Sequence, residues 1–255
     1  EGEVSVPKIQ LTERDEELLK LIAKYGVISI NAARYIYQTK KYHENRITVL
    51  SRAGYVTRSN GVKLARKGKE YVKKLGIEVR NIQRSASYQN RVAAISELAL
   101  IFEGSGLEFM PSWDAKSELN LSGSSKALGA IKNDMLTIVY ALSENTTQKS
   151  INTIKSEMQT LQTRGIGRAV ILAENKAAMD KFPVEAIGLS EQLLLPWTEY
   201  GINLLITHIK EDLRYKSAKM VLGEVYPPRW TLADYYDSND NPVVVLTLND
   251  LEKRA

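Results

Sequence analysis

Apolar residues recur at helical spacing at Leu18, Leu19 and Ile22, behind Thr12 and Asp15 and ahead of Gly26. This predicts an amphipathic helix with a capping-box start, Asp15 replacing the usual Glu or Gln, and a glycine stop. Val27–Ile30 is long enough only for a small strand, and Asn31 can cap a short helix over Ala32–Tyr37. A third helix is predicted from His43 to Ala53, ended by Gly54. Tyr55–Arg58 and Val62–Leu64 read as strands joined by Ser59-Asn60-Gly61, an Asn-Gly hairpin signal, and a last helix covers Arg66–Leu75. This order predicts a winged helix-turn-helix over residues 10–77. In such folds the third helix enters the major groove and the hairpin follows the backbone.

A mixed connector at 76–84 separates this segment from a second domain expected at 85–255. Its long first helix spans Ser85–Glu103, with Val92, Ile95, Leu98, Ala99 and Phe102 at core spacing. Strands are expected at Leu107–Trp113, Ala127–Lys132 and Met135–Leu142, the last two joined at Asn133-Asp134. A helix capped by Thr146 or Thr147 follows, running to Thr163 along Ile151, Ile154, Met158 and Leu161. Arg168–Ala173 is a continuous apolar run suited to a buried central strand. The order continues through Val184–Leu189 and Gly201–Ile209 to a break at Pro227-Pro228. The fold class is therefore α/β (α+β), a winged helix followed by an α/β domain with a mixed sheet. The second domain has the element order of a restriction-endonuclease-like nuclease core.

Charge changes the picture most in the first domain. Lys40 to Lys74 holds eleven Lys/Arg against Glu44 and Glu70, a local +9 in a chain of net +5. A basic stripe confined to one segment is the electrostatic footprint of a phosphate-backbone contact. Turning the third helix at 100° per residue puts Ile47 and Leu50 inward and Tyr42, Asn45, Arg46, Val49 and Arg52 outward. Arg and Asn can pair bidentately with guanine and adenine edges. Lys40 and Lys41 at the helix start, Arg58, Asn60 and Lys63 on the hairpin, and Arg66 and Lys67 after it complete the expected DNA-binding set. His43 falls on the inward side, as a packed or capping histidine.

Catalytic chemistry has fewer carriers. The absence of cysteine excludes disulfides, thiolate zinc sites and a cysteine nucleophile. Two histidines, His43 and His208, are too few for a histidine metal cluster. A metal-dependent nuclease needs acids on adjoining strands and an acid-x-Lys pair. Glu97, Asp114, Lys116 and Asp134 are the candidates, but the strand after Asp134 has neither acid nor Lys. The nuclease-like domain is therefore expected to be inactive, with no catalytic residue, no metal and no cofactor. No apolar run is long enough for a bilayer, and Glu1–Lys8 has no signal pattern, so the expected location is cytoplasmic.

The opening Leu11-Thr12-Glu13-Arg14-Asp15-Glu16, the run Arg46 to Val56 with Leu50-Ser51-Arg52-Ala53-Gly54-Tyr55-Val56, and Asp134 after the long helix resemble the replication-relaxation family. These are the MobC-like accessory proteins of plasmids and integrative elements, and the resemblance covers residues 10 to about 175. It implies a winged helix fused to an inactive nuclease-like domain, acting beside a relaxase or replication initiator at an origin. The expected function is a non-enzymatic, sequence-specific double-stranded DNA-binding accessory factor, with a possible homodimer on paired half-sites. The alternatives are a metal-dependent DNA nuclease and a winged-helix transcriptional regulator.

Overall fold

A computed structural model describes residues 9–39, 41–82, 85–164, 166–182, 191–211, 213–227 and 233–245. The fold is mixed α/β, with ten helices and a five-stranded mixed sheet among the described residues. It divides into two compact units, Glu1–Gly104 and Ser105–Ala255.

The first unit begins with α1, Glu13–Tyr25. Its predicted capping box is present: Thr12 Oγ1 accepts from the Asp15 amide at 3.3 Å and Asp15 Oδ2 accepts from the Thr12 amide at 2.8 Å. Helix α2, Ile30–Tyr37, is capped by Ser29 rather than by Asn31, the Ser29 hydroxyl accepting from the Ala32 amide at 2.9 Å. The expected strand at 27–30 reduces to one bridge, Ile28 with Val62, because Ile30 already belongs to the helix. Helix α3 is Tyr42–Arg52, and Val56–Arg58 (β1) pairs antiparallel with Val62–Leu64 (β2). Asn60 and Gly61 both take positive φ at the tip, and a Cβ on Gly61 would lie 2.7 Å from the Ile28 carbonyl oxygen, so only glycine fits there. Helix α4, Arg66–Lys74, follows.

The long helix α5, Ala86–Gly104, belongs to this first unit rather than opening the second. The boundary therefore falls at 104/105, not in the connector at 76–84. The reason is local bonding. Ser29 Oγ donates to Glu97 at 2.6 Å, Lys63 Nζ donates to Gln89 at 2.9 Å, and Val92, Ile95, Leu98 and Phe102 are buried. An amphipathic helix joins whichever core accepts its apolar stripe, and periodicity alone does not name that core.

The second unit is built on the sheet order β3-β4-β5-β6-β7: Glu108–Pro111, Gly129–Lys132, Thr137–Leu142, Arg168–Ala173 and Glu191–Pro196. The pairs β3/β4 and β4/β5 are antiparallel, while β5, β6 and β7 are mutually parallel. Pro111 ends β3 early, and Ser112–Glu118 forms a short helix, α6, where strand was expected to continue to Trp113. Helix α7, Gln148–Gln162, capped by Thr147, buries Ile151, Ile154, Met158 and Leu161 against Ile138, Tyr140 and Ile171. The alternate residues Val139, Val170, Leu172, Leu193 and Leu195 are buried too, so both faces are covered, as the continuous apolar run implies. A short helix, α8 (Lys176–Asp180), precedes β7. The apolar stretch at Gly201–Ile209 lies within a helix, α9 (Glu199–Glu211), followed by α10 (Leu213–Leu222) and the small pair β8 (Tyr235–Tyr236) and β9 (Pro242–Val243). Val184–Leu189 and Pro228 lie outside the described residues.

Candidate nucleic-acid interface

Helix α3 presents a clear division. His43, Ile47 and Leu50 are buried, with His43 Nδ1 3.2 Å from the Thr39 carbonyl oxygen. Lys41, Tyr42, Asn45, Val49 and Arg52 are exposed. Tyr42 is half exposed and its ring stands edge-on to Tyr37 at 5.8 Å, which restrains it. On β1 and the hairpin tip, Arg58 and Asn60 are also exposed, and Arg58 donates to Thr48 Oγ1 of α3 at 2.9 Å. This ties the hairpin to the exposed side of the helix.

Arg46 does not join that face. Its Nε donates to both Asp15 carboxylate oxygens at 2.9 and 3.1 Å, and one terminal nitrogen reaches the Gln10 carbonyl at 2.9 Å. Asp15 is fully buried and also accepts the Tyr37 hydroxyl at 2.6 Å. Burial alone would raise the Asp15 pKa, but the bonds from Arg46, Tyr37 and Thr12 outweigh it and hold the carboxyl below its ordinary value. The same pairing raises the guanidinium pKa of Arg46. Arg46 is therefore a bolt between α3 and the start of α1, not a base reader. At 100° per residue Arg46 stands about 40° beyond Tyr42 toward the buried side, near enough the core edge for its long side chain to turn inward.

The other expected contacts separate in the same way. Lys63 is bonded to Gln89 of α5, which turns it from the hairpin surface toward the first unit's own helix. Arg66 is exposed and pairs with Glu70 at 2.9 Å one turn on. Lys67 is exposed, with its aliphatic stem beside Gly54 at the end of α3. Lys40 lies outside the described residues.

The nuclease candidates are divided between the two units. Glu97 sits in the first unit, bonded to Ser29. In the second, Asp114 and Lys116 are on α6 rather than a strand, and Lys116 Nζ donates to the Gly123 carbonyl at 2.8 Å. Asp134 is exposed in the turn before β5, three residues short of the strand. Among the described residues, no group of three or more His, Cys, Asp and Glu side chains stands where it could hold a metal ion.

A buried charge cluster that periodicity did not foretell lies at the start of the parallel strands. Arg168 and Glu191 are directly opposed across β6 and β7 and form an ion pair. Glu191 is also 3.0 Å from His208 Nε2 of α9 and 2.6 Å from Arg214 of α10, and Arg214 reaches Asp234 at 3.2 Å. Burial pushes the Glu191 pKa up, but His208, Arg168 and Arg214 together bring it down to about 2. The cluster lines a pocket of about 670 Å³ with Asn133, Asp134 and Lys210. Its two arginines are paired with its two carboxylates, which marks it as a clamp joining α9, α10 and Asp234 to the sheet. The only sequence signal was a pair of charges, Arg168 and Glu191, at the edges of apolar runs.

No helix among the described residues is long and apolar enough to cross a membrane. Compared with known proteins, the chain matches no family model and no curated sequence.

Proposed function

We propose that the chain is a double-stranded DNA-binding accessory factor whose first unit is a winged helix and whose second is a nuclease-like scaffold acting without bond chemistry. The observation that carries this reading is the exposed face of α3. Tyr42, Asn45, Val49 and Arg52 project from one side of a helix whose opposite side is wholly buried, next to a hairpin bearing Arg58 and Asn60. Asn45 and Arg52 supply the two side-chain types that read adenine and guanine, and Val49 supplies apolar contact for a thymine methyl. Lys41 and Arg58 supply phosphate contacts. Arg46 holds the reading helix at a fixed angle to α1, which is a positioning role.

The resemblance to MobC-like accessory proteins assigns the DNA site to an origin of transfer or replication and the protein partner to a relaxase or initiator. The second unit would engage that partner, and α10 ends in the exposed apolar side chains of Met220 and Val221. The test is selection of duplexes from a random library by the purified chain, with and without Mg²⁺. A retained, uncut consensus whose affinity falls steeply with salt supports the reading. Cleavage that requires Mg²⁺, or no retention at all, overturns it.

A further inference from the structure

Partnering among the described residues redistributes the basic stripe. Arg46 is half-buried and paired with Asp15, Lys63 is bonded to Gln89, Arg58 to Thr48, and Arg66 to Glu70. Six cations of the stripe have no salt bridge or side-chain hydrogen bond among the described residues: Lys41, Arg52, Lys67, Lys69, Lys73 and Lys74. Four of the six are on α4, a helix of nine residues, and all four are exposed. Among the described residues of the stripe, the cations without such a partner are thus concentrated on α4 rather than on α3.

Folding does not account for that placement. Cations favour the last turn of a helix and acids the first, because of the helix dipole. Lys73 and Lys74 obey this, but the first turn of α4 has no acid and begins Arg66-Lys67, with Lys69 close behind. Lys69 and Lys73 are also a like-charge pair at i,i+4, a spacing that weakens a helix. The helix cannot rotate to relieve this. Gly68 is so close to the turn after α3 that a Cβ would lie 2.1 Å from the Tyr55 carbonyl oxygen. On a neighbouring face, the Tyr71 hydroxyl donates to Glu16 of α1 at 2.7 Å. With Gly68 and Val72 buried, the opposite face carries the Arg66–Glu70 pair at its centre, flanked by Lys69 and Lys73 on one side and Lys67 and Lys74 on the other.

We propose that the outer face of α4 is a second contact for the phosphate backbone of duplex DNA, made by Lys67, Lys69, Lys73 and Lys74 and independent of base sequence. This rests on the DNA-binding reading above and extends it: α3 selects the site, and α4 supplies much of the salt-dependent affinity. Flexible ammonium groups bind phosphates as point charges with little demand on geometry, which suits a contact that does not read sequence.

The test measures duplex affinity of the full chain against salt, on the selected site and on a random sequence. It compares the wild type, K67Q/K69Q/K73Q/K74Q and N45A/R52A. Each lost phosphate contact should flatten the slope of log affinity against log salt by about 0.9, so the lysine variant should lose up to about 3.6. Its preference for the selected site over the random one should stay as in the wild type, whereas N45A/R52A should lose that preference. The half-variants K67Q/K69Q and K73Q/K74Q, each expected to lose about half the effect, give the same reading if the fourfold variant does not fold. Wild-type binding with an unchanged slope in the lysine variants overturns the α4 contact and leaves the α3 reading standing. No duplex binding by the wild type overturns both. Lysine-dependent capture by phosphatidylserine vesicles in place of duplex would assign the face to a membrane surface and also overturn the proposal.

Discussion

Asp15 in the first unit and Glu191 in the second are both buried carboxylates gripped by arginine, yet they leave their surroundings differently charged. Asp15 draws in one arginine, a tyrosine hydroxyl and a backbone amide, and the rest of the basic segment stays outside. Glu191 takes two arginines and a histidine, and Arg214 is shared with Asp234, so the second unit turns these cations inward. Net charge along a segment is therefore not the charge it shows a partner. Buried acids decide how much of it is withdrawn.

The largest effect should come from breaking the second cluster. Glu191→Ala leaves two arginines near one another without their carboxylate, and removing one partner of a buried ion pair typically costs about 3–5 kcal/mol. Urea unfolding followed by hydrogen exchange should place that loss in the second unit, with protection of α1 and α3 unchanged. Arg46→Ala should cost the first unit a loss in the same range of about 3–5 kcal/mol by stranding Asp15, and Asp15→Ala combined with it should recover part. If Arg46→Ala instead kept full stability and lost only DNA affinity, Arg46 would be a base reader after all.

Acid separates the two units next. Both carboxyls have folded pKa values below their unfolded ones, so their contributions are complete above the unfolded values and are lost as pH falls through the folded values. For Glu191 the window runs from about 4.5 down to about 2, and Glu191→Gln should reduce the pH dependence of second-unit stability there. For Asp15 the loss begins below 3.8 and continues beneath it. Stability measured by urea titration at stepped pH checks both. An unaltered pH profile in Glu191→Gln would show that the cluster does not hold the unit.

Smaller effects sharpen the comparison at the surface. Gly68→Ala should cost about 1–3 kcal/mol of first-unit stability by pushing α4 off the Tyr55 carbonyl, measured by the same unfolding. Arg52→Ala and Asn45→Ala should each weaken DNA binding by about 1–3 kcal/mol in a gel-shift titration. Folding stability in both should change by no more than about 0.5 kcal/mol, because the two side chains are exposed.

Much of the first unit was legible in residue order because its signals are local. The capping box at Thr12 and Asp15, the Asn60-Gly61 turn and the burial of Ile47 and Leu50 each depend on residues within a turn or two. The exposed positions Tyr42, Asn45, Val49 and Arg52 followed from the same 100° arithmetic. Arg46 escaped it because a helical wheel places a Cα, whereas a guanidinium on a long stem finds its carboxylate wherever one is buried nearby. In the second unit, β5, α7 and β6 were legible from apolar runs and spacing. The helix at Ser112–Glu118 and the helical state of Gly201–Ile209 were not, since short apolar runs suit strand and helix alike.

By itself, residue order determined the class of fold, most of the elements, the confinement of positive charge to one segment and the lack of thiol chemistry. Only the tertiary structure decided which core claimed α5, which cations were withdrawn into ion pairs, and that Asp114 and Lys116 stand on a helix rather than a strand. Hydrophobic periodicity and caps act between neighbours a turn apart, so they are written in order along the chain. Ion pairs such as Asp15 with Arg46, 31 residues away, and Arg168 with Glu191, 23 residues away, exist only once distant elements have packed.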